Sequence, residues 1–170
     1  MASWVETASF IASSPVRVGV MIALAQSGQT LDEITLAQTA GLLHQHITGQ
    51  PIETAIVISQ ISELSRHGAI ARDDSGFRWQ LTAIGTLVSR QWAIASLEPE
   101  GDAPLDHDEV RAWRDALIAQ LEEDSDLAEE ADISPEELLA GQTSRLSELR
   151  VLNRVIGDER LPEWISALAR

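Results

Sequence analysis

The chain has 170 residues, 27 of them acidic against 12 basic, a formal net charge of −15, and no cysteine. A chain of this length holds one domain, or one small domain with a helical extension, and its 44% hydrophobic content is enough for a core. Disulfides, thiolate metal sites and cysteine nucleophiles are excluded together, and with no apolar run approaching about 18 residues no membrane span is expected.

The placement of charge says more than its size. Residues 1–97 carry five Arg against seven Asp and Glu, whereas residues 98–170 carry seven Arg against twenty. The character of the chain changes at Leu97-Glu98-Pro99-Glu100-Gly101-Asp102-Ala103-Pro104, a Pro, Gly and acid run that reads as a linker over 98–105. Every basic residue is Arg and none is Lys, a usage that fits a halophilic, GC-rich source such as a haloarchaeon. The N-terminus has neither the basic region nor the long apolar run of a signal peptide, so a cytoplasmic protein is expected.

In chain order, Ala2 to Ala12 places Trp4, Val5, Ala8 and Ile11 near helical spacing. Ser14-Pro15 then supplies an N-cap followed by Pro at the first helical position. The helix it opens is apolar nearly all round, as for a buried element, and ends near Ser27-Gly28. Thr30 to Glu33 reads as a capping box, opening a helix with Ile34, Leu36, Ala37 and Ala40 that stops at Gly41. About ten residues follow, Leu42 to Pro51, as either one more helical turn or an exposed loop. A helix from Ile52 to His67 puts Val57, Ile61 and Leu64 on one face and ends at Gly68, whose missing Cβ suits a left-handed residue. Ala69 to Arg72 and Phe77 to Leu81 are strand-like runs joined by Asp73-Asp74-Ser75-Gly76, the link of a hairpin. Thr82 can cap a helix to Leu97 that carries Leu87, Val88 and Trp92.

The acidic half reads as helices. Asp106 to Leu121 aligns Val110, Trp113, Leu117 and Leu121 on one stripe, and the run Glu122-Glu123-Asp124-Ser125-Asp126 is expected to end that helix as a solvated face. Ser134-Pro135-Glu136-Glu137 is a capping box with Pro at N1. Leu138, Leu139, Leu146, Leu149, Leu152, Val155 and Ile156 continue the helical spacing to Gly157, and a short helix near Pro162 carries Trp164, Ile165 and Leu168.

Helix, Gly, strand, turn, strand, helix from Val57 to Gly85 resembles the second half of a winged helix-turn-helix, and in particular bacterial and archaeal regulators of the ArsR and MarR type. The residues carrying the resemblance are Val57, Ile61, Leu64, Gly68 and Ile70, followed by Leu81-Thr82-Ala83-Ile84-Gly85, and it spans roughly Ser14 to Ala95. It implies an α+β, mainly α fold: a winged helix-turn-helix domain over 1–97, a linker over 98–105 and an acidic all-α C-terminal extension over 106–170. The long stretch after Gly41 departs from the family, whose turn there is about 3–4 residues.

The resemblance further implies a transcriptional regulator that binds double-stranded DNA, as a homodimer, with no cofactor and no metal. Its Ile52–His67 helix would enter the major groove, with Thr54, Ile58, Ser59, Gln60, Ser62 and Arg66 turned toward the bases or backbone. Arg72 and Arg78, flanking the wing, would touch the backbone. Arg17 and Arg90 complete the domain's cations, and Glu53 and Glu63 would repel phosphate. No Arg or Lys lies in the first three turns of that helix, where base readout would place one, although in a salt-rich cytoplasm cations could bridge carboxylates and phosphates. The alternative is a winged-helix protein–protein adaptor that does not touch DNA, suited by apolar Ala55 and Ile58 and by a protein partner for the acidic helices.

Other signals are blander. His44 and His46 read as loop histidines rather than a metal pair, and His107 as a first-turn residue among acids. Glu122-Glu123 has no apolar pocket to tune a catalytic pKa, and there is neither a phosphate loop nor a nucleophile elbow, so no enzyme is expected. The five tryptophans fall on helical apolar stripes or on the wing strand, where core or interface packing outweighs base stacking, with Trp79 the exception that strand alternation can turn either way.

Overall fold

The structure of the protein, a computed structural model, describes residues 4–93 and 106–170. The expected linker, the helix end at Leu97 and the side chain of Trp92 lie outside the described residues. The chain divides into two compact units, Met1–Trp92 and Ala93–Arg170. It is mainly helical, with one small three-stranded antiparallel sheet, and among the described residues no single helix is long and apolar enough to cross a membrane.

In the first unit α1 (Trp4–Ala12) leads into α2 (Pro15–Ser27). Pro15 stands at the first helical turn as expected, although Ser14 makes no side-chain cap bond, and Gly28 ends α2 in the left-handed region with φ 60°. β1 (Leu31–Asp32) follows, and α3 (Glu33–Thr48) begins directly after it. The expected Thr30–Glu33 capping box is not formed: Asp32 caps α3, its carboxylate accepting from the Thr35 amide at 2.9 Å and the Thr35 hydroxyl at 2.7 Å. Two bonds to a carboxylate at the N-cap outcompete the hydroxyl of Thr30, which lies two residues earlier, ahead of β1.

Nor does Gly41 stop α3. The helix continues to Thr48 and is ended by Gly49, at φ 72°, whose amide donates to the Gln45 carbonyl. The Thr48 hydroxyl, donating to the His44 carbonyl and accepting from the Gln50 amide, ties the last turn to the chain leaving it. The long stretch after Gly41 is therefore mostly helix, and residues 49–53 make the connection to α4 (Thr54–Arg66). α4 buries Val57, Ile61 and Leu64, each wholly inaccessible, on the face the spacing predicts.

After Gly68 come β2 (Ile70–Arg72), β3 (Arg78–Leu81) and α5 (Ala83–Ala93). The strand order is β1-β3-β2, so β3 is central, pairing Trp79 with Leu31 on one side and Arg72 on the other. Thr82 and Gly85 tie the hairpin to α5. The Thr82 hydroxyl donates to the carbonyls of Gly68 and Ala69 and accepts from the Gly85 amide at 3.1 Å. A Cβ at Gly85 would overlap the Ala69 carbonyl oxygen, so the close approach of α5 to the residue leading into β2 requires glycine there. Leu36, Ile61, Leu64, Ile70, Leu87 and Met21 fill the core beneath.

The second unit contains α6 (His107–Glu130), α7 (Pro135–Gly141), α8 (Thr143–Ile156) and α9 (Glu163–Leu168). Its core joins Val110, Leu117 and Leu121 of α6 to Leu146, Leu149 and Leu152 of α8. The Ser134–Glu137 capping box forms as expected. Two expectations fail here. The apolar run from Leu138 to Ile156 is two helices, broken at Gln142. The charge run at 122–126 neither ends α6 nor is wholly solvated, because Asp124 is completely buried. Asp124 ion-pairs with buried Arg145 and accepts from Gln142 Nε2 at 2.8 Å, and Arg145 Nη2 donates to Gln120 at 2.6 Å. A carboxylate with a matched guanidinium across the helix pair can stay inside, where an unpaired one could not.

Candidate nucleic-acid interface

The candidate residues lie on α4 and on the β2–β3 hairpin. With Val57, Ile61 and Leu64 inward, helical periodicity turns Thr54, Ser59, Ser62 and Arg66 outward, and all four are exposed. Ile58 and Gln60 differ from the expectation. Ile58 is half-buried, and the branched side chain that does face solvent is Ile56, at 47% exposure. Gln60 is half-buried and its Oε1 accepts from Arg17 Nε at 2.8 Å, so it is engaged within the unit.

That bond belongs to a larger arrangement that periodicity alone does not reveal. The Arg17 guanidinium lies 3.7 Å from the centroid of the Phe10 ring, whose ring in turn stacks on His67 at 3.5 Å. Arg17 Nη1 also donates to the Phe10 carbonyl at 2.8 Å. Arg17 thus fixes α4 against α1 and α2 through its charge and its planar face, and is committed to the fold rather than offered to a ligand.

The remaining cations are held to different degrees. Arg66 pairs with Glu63 at 2.6 Å, with 74% of the Arg66 side chain exposed, a contact worth little in water and open to exchange. Arg72 lies 4.5 Å from the Trp79 ring centroid and its Nη1 donates to the Gly76 carbonyl at 2.8 Å, so it props the hairpin. Arg78 is exposed and sits across the β1–β3 pairing from Asp32. The Thr35 amide, then the Thr35 hydroxyl, hold the Asp32 carboxyl below its usual range, with the Arg78 charge contributing.

The hairpin link satisfies itself. Asp73 accepts from the amide and hydroxyl of Ser75, the hydroxyl first among the causes that keep its carboxyl below the usual range, and the Gly76 amide donates to the Asp73 carbonyl at 2.9 Å. Gly76 is left-handed at φ 77°. This tight turn thrusts Phe77 outward at 78% exposure, next to Arg78. Sequence reasoning missed Phe77; the apolar residue directly after a polar turn was the available signal. Elsewhere, His44 Nδ1 is within 3.1 Å of the Gln50 carbonyl, and no cluster of metal-ligating side chains occurs among the described residues. No protein-family model, curated protein or solved structure matches the chain.

Proposed function

We propose that the first unit is a winged helix-turn-helix of the ArsR and MarR type and that the chain is a homodimeric, DNA-binding transcriptional regulator. α4 would lie in the major groove, and the β2–β3 hairpin would act as the wing. The observation that carries this reading is the pairing, within one unit, of a helix whose outward row is Thr54, Ser59, Ser62 and Arg66 with a hairpin presenting exposed Arg78. Hydroxyls at that spacing can donate to or accept from base edges and phosphates, and Arg66 is freed for phosphate by the loss of one surface ion pair. With Arg17 and Arg72 engaged inside the unit, few phosphates are neutralised, so affinity should fall with salt by a slope of only about 2–3, near 0.9 per phosphate contacted.

Exposed Ile56 and Phe77 favour a second reading, a protein–protein adaptor built on the same fold. Selection of bound duplexes from a random-sequence pool separates the two. Enrichment of a defined motif by the full chain, weakened by Arg78→Ala and relaxed in sequence by Ser59→Ala with Ser62→Ala, supports the regulator. A pool that stays random after repeated rounds sinks it and leaves the adaptor.

A further inference from the structure

The second unit is overwhelmingly acidic, with twenty Asp and Glu against seven Arg over residues 98–170. Yet the outward face of α8 shows no carboxylate, since the one acid of that helix, Glu148, is half-buried. That face presents Arg150 and Arg154 one turn apart, beside Val151 and Val155 at 57% and 38% exposure. Branched apolar side chains flanked by guanidiniums, on a helix that already buries its other face in the core, form an unpartnered second stripe.

Beside it lies a surface of opposite character. A groove of about 460 Å³ is lined by Asp115, Ile118, Ala119, Glu159, Arg160 and Leu161. On the α8 side a cleft of about 500 Å³ is lined by Arg150 and Arg154 together with Glu159 and Leu161. Leu161, 48% exposed, and Glu159 thus form a wall shared by the two hollows. Arg160 is turned to Asp158 at 3.6 Å, and Asp115 pairs with the buried Arg114 at 3.0 Å while its own side chain stays 55% exposed.

A cationic, apolar ridge and an acidic, apolar groove side by side across a single wall meet the geometric requirement of an isologous contact, in which each copy supplies both halves. We propose that this surface binds the same surface of a second copy of the chain. Val151 and Val155 of one copy would enter the groove of the other over Ile118 and Ala119, Arg150 and Arg154 would face Glu159 and the exposed side of Asp115, and Leu161 would lie near the two-fold axis. The inference rests on the homodimer of the proposed function but not on DNA.

The test uses the full chain without DNA. Sedimentation should give a dimer for the unaltered protein and a monomer for Val151→Asp with Val155→Asp, both exposed sites, with helical circular dichroism retained. Arg154→Glu should weaken association by at least about tenfold, as charge reversal at an interface does, and Glu159→Arg added to it should restore association. Because the chain lacks cysteine, Leu161→Cys introduces a single thiol. Mild oxidation should link two copies rapidly, while a thiol placed at Ser9 of the first unit should not link, and this readout stands even if the aspartate variant fails to fold. A monomeric unaltered chain, a dimer that survives the two aspartates, or Leu161→Cys linking no faster than the Ser9 control would overturn the proposal. Duplex binding is measured separately, so failure of the regulator reading and failure of this interface are told apart.

Discussion

The Arg145–Asp124 pair is the sharpest energetic wager in the second unit. Arg145 is 2% exposed and Asp124 fully buried, so Arg145→Met leaves a carboxylate inside the helix pair without its guanidinium. Stranding one partner of a buried pair costs about 3–5 kcal/mol, a large share of the stability of a small helical unit. If native opening controls amide exchange, each 1.4 kcal/mol is about a tenfold change, so amides of α6 and α8 should exchange roughly a hundred to a few thousand times faster. Hydrogen exchange read by mass spectrometry on peptides from the two helices measures this directly, with peptides from the first unit as the internal reference. Replacing both residues, Asp124→Leu with Arg145→Met, should recover most of the loss, because no buried charge is then unmatched. Exchange altered less than about tenfold in Arg145→Met, or a double variant whose losses simply add, would refute the view that this pair is matched inside a low-dielectric core.

Gly85→Ala should destabilise the first unit by about 2–4 kcal/mol, since its methyl group has to displace the Ala69 backbone rather than a movable side chain; an unchanged denaturant midpoint would contradict that close approach. Burial pushes the Glu148 carboxyl above its ordinary range, against the opposing pull of the Trp113 hydrogen bond and the Arg145 charge. Below the ordinary carboxyl pKa of about 4.3 the group is protonated folded or unfolded, and the native state bears no penalty. As pH rises through the raised native value, the folded state must carry a half-buried charge and stability falls. Glu148→Gln should therefore raise the melting temperature at neutral pH and leave it nearly unchanged in acid; equal effects at both pH values would remove burial as the cause.

Much of the local architecture was legible because it follows from residue chemistry that acts over a few positions. The i, i+4, i+7 row of Val57, Ile61 and Leu64 fixed the inward face of α4, and Gly68 and Gly76 marked turns that need positive φ. The Ser134–Glu137 box formed as its spacing requires. What escaped the sequence depends on neighbours distant in the chain. Gly41 reads as a stop, but tertiary contacts and the Thr48–His44 tie carry the helix past it, overriding a cost of about 1 kcal/mol for glycine within a helix. β1 is two residues long and exists through its pairing with β3. Asp124 lies within five consecutive polar residues, and its burial depends on Arg145 and Gln142, twenty-one and eighteen positions later. On the candidate interface, periodicity separated inward from outward positions but could not foresee that Arg17 would be claimed by Phe10 and Gln60, or that a tight turn would leave Phe77 in solvent.

The central proposal, that the first unit reads DNA through α4 and the hairpin, meets its most direct test in living cells. Crosslinked DNA would be recovered with the tagged full-length chain and mapped across the genome, beside a variant carrying Ser62→Ala and Arg78→Ala, both exposed positions whose loss should leave the fold intact. Discrete peaks sharing a sequence motif are expected for the unaltered chain, and their collapse in the variant at equal protein abundance. Peaks that persist undiminished in the variant, or recovery no greater than background from the unaltered chain, would contradict the proposal.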